Sequence, residues 1–247
     1  MTGKFTTLSP NWNIPHVKAY TILALASDSS PVSFGYDNSL ADDCRKRVEE
    51  LINPEHPISW LRQVHGDRIV ELPVNEKSVA VSETGLIEAD GAYTSDKRTV
   101  CTVITADCLP VVFADQAGTR VGVAHAGRKG LQHGILFEMI KKIGIPVEKM
   151  HVWMGPGIAA ESYPISAEIR EEVLSLSPLY EPIFAYAGDG QYLMDLYEMA
   201  RIQLVYHGIP GRNIDGAVWN TFLDKRFHSA RRDKAQSGRM ATMVWME

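Results

Sequence analysis

The chain has 247 residues, of which 45% are hydrophobic, and a formal net charge of −5; it can bury a large core and is neither disordered nor low-complexity. The acidic balance argues against a dedicated nucleic-acid binder, which is normally basic, and no apolar run reaches the roughly 20 residues of a membrane helix. Three cysteines (Cys44, Cys101, Cys108) are an odd number in a domain this large, and no basic segment leads into an apolar one at the N-terminus, so the expectation is a reduced, cytoplasmic protein.

Residues 1–15 are polar and Pro-containing and read as a strap or edge strand. Val17 to Ala26 is apolar and β-prone, whereas Ser27 to Asn38 has loop composition. Ala41 to Ile52 (ADDCRKRVEELI) predicts a helix with an acidic start, with Cys44, Val48 and Leu51/Ile52 on one face. Cys44 then reads as a core residue. From Ile58 the pattern is a strand, a turn at His65-Gly66-Asp67 and a second strand, Arg68 to Leu72. Pro73 to Gly85 has no periodicity and reads as loop. In Glu88-Ala89-Asp90-Gly91, Asp90 either caps a turn or orients a neighbouring histidine.

Thr99 to Leu131 organises the rest. Val100 to Ile104 is an apolar strand followed by Thr105-Ala106-Asp107-Cys108-Leu109-Pro110. Val111 to Ala114 is a second, and after the turn signal Asp115-Gln116-Ala117-Gly118 the β-rich pattern resumes at Arg120 to Ala124. Cys108 and His125 stand at the two ends of this hairpin. Residues 131–143 place Leu131, Ile135, Leu136, Met139, Ile140 and Ile143 at helical spacing, with Lys141 and Lys142 on the opposite, solvent face. Met150 to Met154 is a strand ending in Gly155-Pro156-Gly157. Ala167 to Leu176 and Asp195 to Tyr206 are helices, the second stopped at His207-Gly208. Asn213 to Val218 is a short strand, Phe227 to Asp233 a polar, basic loop, and Met240 to Met246 a closing strand. Helices interleave with strands, but several neighbouring strands are joined by short turns, which predicts one α/β (α+β) domain over 1–247 with mixed sheets.

The familiar nucleotide-binding, hydrolase and paired-cysteine motifs are absent. What remains is a dispersed set at predicted strand ends: His65, Cys108 and His125. Two histidines and a cysteine form a good three-residue ligand set for Zn²⁺ with a fourth position open to water or substrate. The same residues also suit a cysteine nucleophile activated by histidine, or a buried cysteine and two turn histidines with no chemistry.

Three separated motifs, Gln63-Val64-His65-Gly66, Thr105-Ala106-Asp107-Cys108-Leu109-Pro110 and His125-Ala126-Gly127, resemble those of the YfiH-like family, also called the multi-copper polyphenol oxidoreductase or laccase-like family. Further likeness runs through Glu88-Ala89-Asp90-Gly91, Gly155-Pro156-Gly157-Ile158, Tyr192-Leu193 with Asp195-Leu196, Ser229-Ala230-Arg231-Arg232-Asp233 and Ser237-Gly238-Arg239-Met240-Ala241, so that it covers about residues 58–247. The resemblance implies a single domain of mixed sheets layered between helices and a zinc site made by His65, Cys108 and His125, which are also its catalytic residues. It further implies purine nucleoside phosphorylase activity on adenosine, inosine and methylthioadenosine, with an added adenosine deaminase activity. Its substrates are then a purine nucleoside and phosphate. Arg128, Lys129, Arg231 and Arg232 are candidate phosphate-binding cations, and Asp90 and Asp107 candidate supports behind the ligands. Arg231 and Arg232 are equally readable as a solvated or internally paired loop.

The chain departs from the family pattern after His-Ala-Gly, where Arg128-Lys129 replaces the usual Trp-Arg. It departs again upstream, at Ala26 to Ser30 and Asp37 to Leu40, and around Ser162 to Ser166, where the usual Cys and Glu-Val-Gly are missing. Alternative readings are copper-dependent polyphenol oxidation, with Cu²⁺ in place of Zn²⁺, a Cys/His hydrolase editing a peptidoglycan precursor, and a degenerate member without activity. Against multicopper chemistry, none of the eight histidines forms a His-x-His pair.

Overall fold

In the computed structural model, described for residues 5–25, 34, 44–46, 48–50, 58–74 and 85–247, two large sheets lie face to face. The strands are β1 (Phe5–Leu8), β2 (Val17–Leu25), β3 (Ile58–Ser59), β4 (Leu61–Arg62), β5 (Ile69–Leu72), β6 (Ile87–Glu88), β7 (Gly91–Thr94), β8 (Val100–Thr105), β9 (Leu109–Asp115) and β10 (Val121–Ala126). The second half adds β11 (Met150–Met154), β12 (Pro164–Ser166), β13 (Phe184–Gly188), β14 (Gln191–Met194), β15 (Ile214–Gly216) and β16 (Met240–Met246). One sheet has the order β1-β2-β16-β8-β3 and the other β15-β11-β9-β10-β7-β5; β12-β14-β13 form a small third sheet and β4-β6 a two-stranded pair. Parallel and antiparallel neighbours occur together, as in β11–β15 and β11–β9. The predicted mixed α/β architecture is therefore the observed one.

The sequence alternation explains the layering. β9 is buried along its whole length. Its Leu109, Val111 and Phe113 face a core shared with Leu136, Met139, Met199 and Leu204 of the helices. The intervening Val112 and Ala114 face the opposite sheet, among Val103 and Val244, with Trp153 of the neighbouring β11 in the same cluster. Side chains two apart share a face in a strand, so both faces of β9 must be apolar when each is covered. On the far side of the first sheet, Val100, Ile104, Ala241 and Met243 meet Cys44 and Val48. These last two lie on a helical segment observed at 44–46 and 48–50, which fits Cys44 as a core residue. The remainder of the predicted 41–52 helix and most of the 27–38 and 73–85 loops lie outside the described residues.

Val17–Leu25, Ala167–Leu176 and Met240–Met246 fall within a residue of their expected bounds. The Leu196–Tyr206 helix begins behind Asp195, whose carboxylate accepts the Glu198 N–H at 2.9 Å. Three differences have physical causes. The stretch at 131–143 is two helices, Arg128–His133 and Ile135–Ile143, because Gly134 adopts a left-handed conformation (φ 86°) between them. Lys142 reaches back to donate to the Ile69 carbonyl at 2.9 Å, so it staples β5 instead of only facing solvent. The basic loop at 227–233 ends in a short helix, Ala230–Asp233, capped by the Ser229 hydroxyl.

The β8-to-β9 connection matters most for function. It leaves one large sheet and enters the other, and residues 106–108 make that crossing. Phe113, fully buried on β9, anchors the arriving strand. Replacing it with alanine should cost about 3–5 kcal/mol in a urea unfolding experiment, the usual range for emptying a core phenylalanine site.

Candidate metal centre

Strand pairing brings two of the proposed residues together. In the β9–β10 hairpin Ala126 pairs with Leu109 and His125 with Pro110, so Cys108, one residue before β9, lies against the end of β10. The hairpin closes at Asp115, which accepts the Thr119 amide at 3.2 Å as well as its hydroxyl. Gly127 continues past β10, and a Cβ added there would stand 2.6 Å from Cys108 Sγ and 3.5 Å from His65 Cδ2. Only glycine leaves room for the thiol at this position.

The third residue comes from the turn between β4 and β5. Gln63 fixes that turn to the first sheet. Its side-chain amide donates to the Ile104 carbonyl at 2.8 Å and accepts the Ile104 N–H at 2.7 Å, completing a ladder rung beyond β3. His65 follows with φ 63°, a left-handed conformation uncommon for a residue with a side chain. What holds it there is the fully buried carboxylate of Asp90. Asp90 accepts N–H groups from Val64 (3.1 Å), His65 (2.8 Å) and Gly66 (2.8 Å), and it also takes His125 Nδ1 at 2.9 Å. The two roles weighed for Asp90 are thus played together: it caps the His65 turn and orients His125. The His125 N–H returns to the Asp90 carbonyl at 2.7 Å.

The result is a His65–Cys108–His125 group whose donor atoms lie within 4.8 Å of one another, with His65 exposed, Cys108 half-buried and His125 buried. The two imidazoles meet edge to face at 4.7 Å between ring centres. Among the described residues it is the one such group of three or more possible ligands. Burial pushes the Cys108 thiol up, but the His125 charge beside it and hydrogen bonds from His125 and His65 bring it down to about 6. Burial lowers His125 in turn, while the Cys108 thiolate and Asp90 raise it to about 9. Asp90 itself, though desolvated, is held below the usual carboxylate range by His125 and by the Gly66 and Val64 N–H groups. Cys101, buried in β8 with no such partners, is pushed far up and stays a thiol. The donor set fits zinc. Two neutral nitrogens and one thiolate are borderline-soft ligands, their separation is close to what one ion bound at about 2.0–2.3 Å spans, and Asp90 supplies the carboxylate–histidine support common at such sites.

The remaining candidates separate. Asp107 has a left-handed backbone (φ 87°), and the hydrogen bonds of its side chain go to the C-terminal segment. Its carboxylate accepts the Thr221 hydroxyl and the Arg231 N–H, both at 2.6 Å, and so ties the Cys108 loop to the C-terminal segment. Arg232 has all its side-chain donors engaged, on the carbonyls of Thr221 (2.8 Å), Phe222 (3.0 Å) and Phe227 (2.8 Å) and on the Asp233 carboxylate. It staples the loop. Lys129 is exposed on the Arg128–His133 helix. Arg128 bonds Gln132 at 2.6 Å, and the Arg231 guanidinium lies 4.9 Å from the centre of the Tyr163 ring. Tyr163, which sequence reading did not single out, is electrostatically coupled to Cys108, Arg128 and Arg231. No motif marks it; the turn before β12 carries it there.

A family model described as multi-copper polyphenol oxidoreductase laccase matches residues 32–247. Purine nucleoside phosphorylase PA4543 of Pseudomonas aeruginosa is 34% identical over 213 residues, covering 85% of this chain and 82% of the relative. Purine nucleoside phosphorylase YfiH of Escherichia coli K12 is 36% identical over 210 residues, covering 83% and 80%. The crystal structure of Neisseria meningitidis protein NMB0706 superposes with a TM-score of 0.85 at 29% identity, covering 98% of this chain and 99% of that one.

Two predictions follow from the geometry. In metal-free protein, thiolate absorbance should first rise near pH 6 as Cys108 ionises, and His125→Ala, which removes the stabilising cation, should move that step upward. Asp90→Asn should weaken zinc binding by about 10- to 100-fold in a chelator competition, the usual effect of removing the partner behind a ligand histidine.

Proposed function

The chain belongs to the multi-copper polyphenol oxidoreductase laccase family, the YfiH-like family, and from that premise we propose that it is a zinc-dependent purine nucleoside phosphorylase that also deaminates adenosine. The observation that carries the reading is the His65–Cys108–His125 group, set in a chain whose relatives bear the phosphorylase name.

In this reading His65, Cys108 and His125 hold the ion. When bound, zinc supplies Lewis-acid chemistry, polarising an oxygen brought to it. The protein does the rest. Asp90 engages His125 Nδ1, which leaves Nε2 as the ligand atom and fixes the tautomer. The His65 turn, held through three backbone N–H groups, presents its ring from the exposed side. Arg128 and Arg231 supply positive charge for a phosphate co-substrate. Asp107 positions Arg231 through its backbone. The substrates are small molecules, a purine nucleoside and phosphate. No helix among the described residues is long and apolar enough to cross a membrane, and all three cysteines are free, which supports a reduced, cytoplasmic setting.

The family description mentions copper, and a His₂Cys set can hold a single copper ion. A multicopper oxidase needs further histidine clusters, and the described residues offer this one group. The donor set therefore favours a single ion and phosphorolysis over phenol oxidation.

The test is to supply zinc-replete protein with adenosine and phosphate and to follow adenine, ribose 1-phosphate and inosine. Ribose 1-phosphate should form in an amount equal to adenine plus hypoxanthine, the latter from inosine made by deamination, and Cys108→Ala should lower the rate at least about 100-fold through loss of the ion. Absence of turnover in protein with a full complement of zinc would overturn the assignment.

A further inference from the structure

We propose that the cavity between the Arg128–His133 and Ile135–Ile143 helices and the Leu196–Tyr206 helix is a second binding site, one that takes an uncharged aromatic molecule whose ring edge carries an N–H beside a carbonyl oxygen. The cavity follows from the break at Gly134. The left-handed backbone there ends the first helix, and a Cβ added to Gly134 would meet nothing within 4 Å. The space measures about 310 Å³ and is walled by Phe137, Tyr206 and His207 and by Leu176 and Leu179. That is the lower end of the range for small-molecule pockets, roughly 300–1,000 Å³.

Two polar side chains in the wall are incompletely satisfied. Gln203, buried on the Leu196–Tyr206 helix, donates its amide to the Leu131 carbonyl at 2.9 Å and to the Tyr180 hydroxyl at 3.1 Å. Its Oε1 is buried without a partner among the described residues, a costly state that an incoming N–H relieves. The Tyr180 oxygen accepts from Gln203, which leaves its own hydrogen to donate to a carbonyl. Acceptor and donor are neighbours, because the same Gln203 amide that carries the one holds the other. Gln132, also in the wall, is by contrast engaged by Arg128 at 2.6 Å.

The rest of the wall disfavours charge and suits a flat ring. Among the described residues no Asp, Glu, Lys or Arg lines the cavity, so an ion entering it would shed water without gaining a counter-charge. Burial lowers the His207 pKa, which keeps its imidazole neutral at neutral pH. That ring stacks on Phe137 at 4.8 Å between centres and meets Tyr206 edge-on at 5.3 Å; aromatic walls of this kind hold planar molecules by stacking. Phe137, Leu176, Leu179 and Tyr206 are all exposed, an apolar cluster of the sort that marks a binding site. None of the lining side chains belongs to the His65–Cys108–His125 group or is Arg128 or Arg231, so binding here does not require the phosphorylase reading.

The experiment is a two-dimensional NMR titration of the isotope-labelled, zinc-replete protein with carbostyril, a bicyclic lactam, and with coumarin, the same bicycle with a ring oxygen in place of the N–H. Carbostyril should shift the backbone resonances of Gly134, Phe137, Leu179 and Tyr206 together and saturably. Coumarin should bind at least about tenfold more weakly, the scale of one hydrogen bond. Tyr180→Phe should weaken carbostyril about 5- to 10-fold for the same reason. The exposed rim substitution Leu179→Ser, which leaves the fold intact, should weaken it about fivefold through lost apolar contact. Equal affinity for coumarin and carbostyril overturns the proposal, as do shifts confined to the residues around His65 and Gly127. It is also overturned if carbostyril does not bind and the same four resonances move on dilution of the protein alone, which would make this face a contact between copies of the chain.

Discussion

One buried carboxylate joins the parts of the site that lie far apart in sequence. Asp90 has no solvent exposure and sits just before β7, beside the end of β10. It accepts three consecutive N–H groups of the His65 turn and the Nδ1 of His125. A charge at that depth is costly unless its oxygens are fully engaged, and here the groups that engage them are those that carry the two imidazoles. The constraint runs both ways. Without the carboxylate, the left-handed backbone of His65 loses its donors' partners and His125 loses its fixed tautomer. Without the turn, the carboxylate is stranded in a dry interior.

The other half of the site follows from strand register. The β9–β10 pairing sets Leu109 opposite Ala126, and the residues immediately outside that last pair are Cys108 and Gly127. The missing side chain at Gly127 is the space the sulfur occupies. Asp107 then anchors the same loop to Thr221 and Arg231, so the C-terminal segment is fastened to the centre without supplying a ligand. Arg232, which resembles Arg231 in sequence, does different work because its guanidinium is fully engaged on loop carbonyls and Asp233.

These arrangements were legible to different degrees. The apolar strands Val17–Leu25 and Met240–Met246 could be read directly, because burial on both faces leaves long β-rich runs. Pro164–Ser166, Phe184–Gly188 and Gln191–Met194 have no strand signal in the sequence, since their sheet is small and largely exposed and its strands carry no clear apolar alternation. The break at Gly134 was hidden by an apolar face that continues across it from Leu131 to Ile135. At the centre, His65, Cys108 and His125 were recognisable by residue type and by family resemblance. Their convergence depends on a crossing between two sheets, which local pattern does not encode. Tyr163 was silent for the same reason: its neighbours Cys108, Arg128 and Arg231 come from three other segments of the chain.

The functional account therefore rests on one claim, that His65, Cys108 and His125 bind a single zinc ion. X-ray absorption at the zinc edge of protein purified without added metal tests it directly. The account predicts one zinc per chain, with one sulfur at about 2.3 Å and nitrogen at about 2.0 Å in its first shell. A zinc shell without sulfur, or protein that holds no zinc when purified and takes none up when it is supplied, would contradict it.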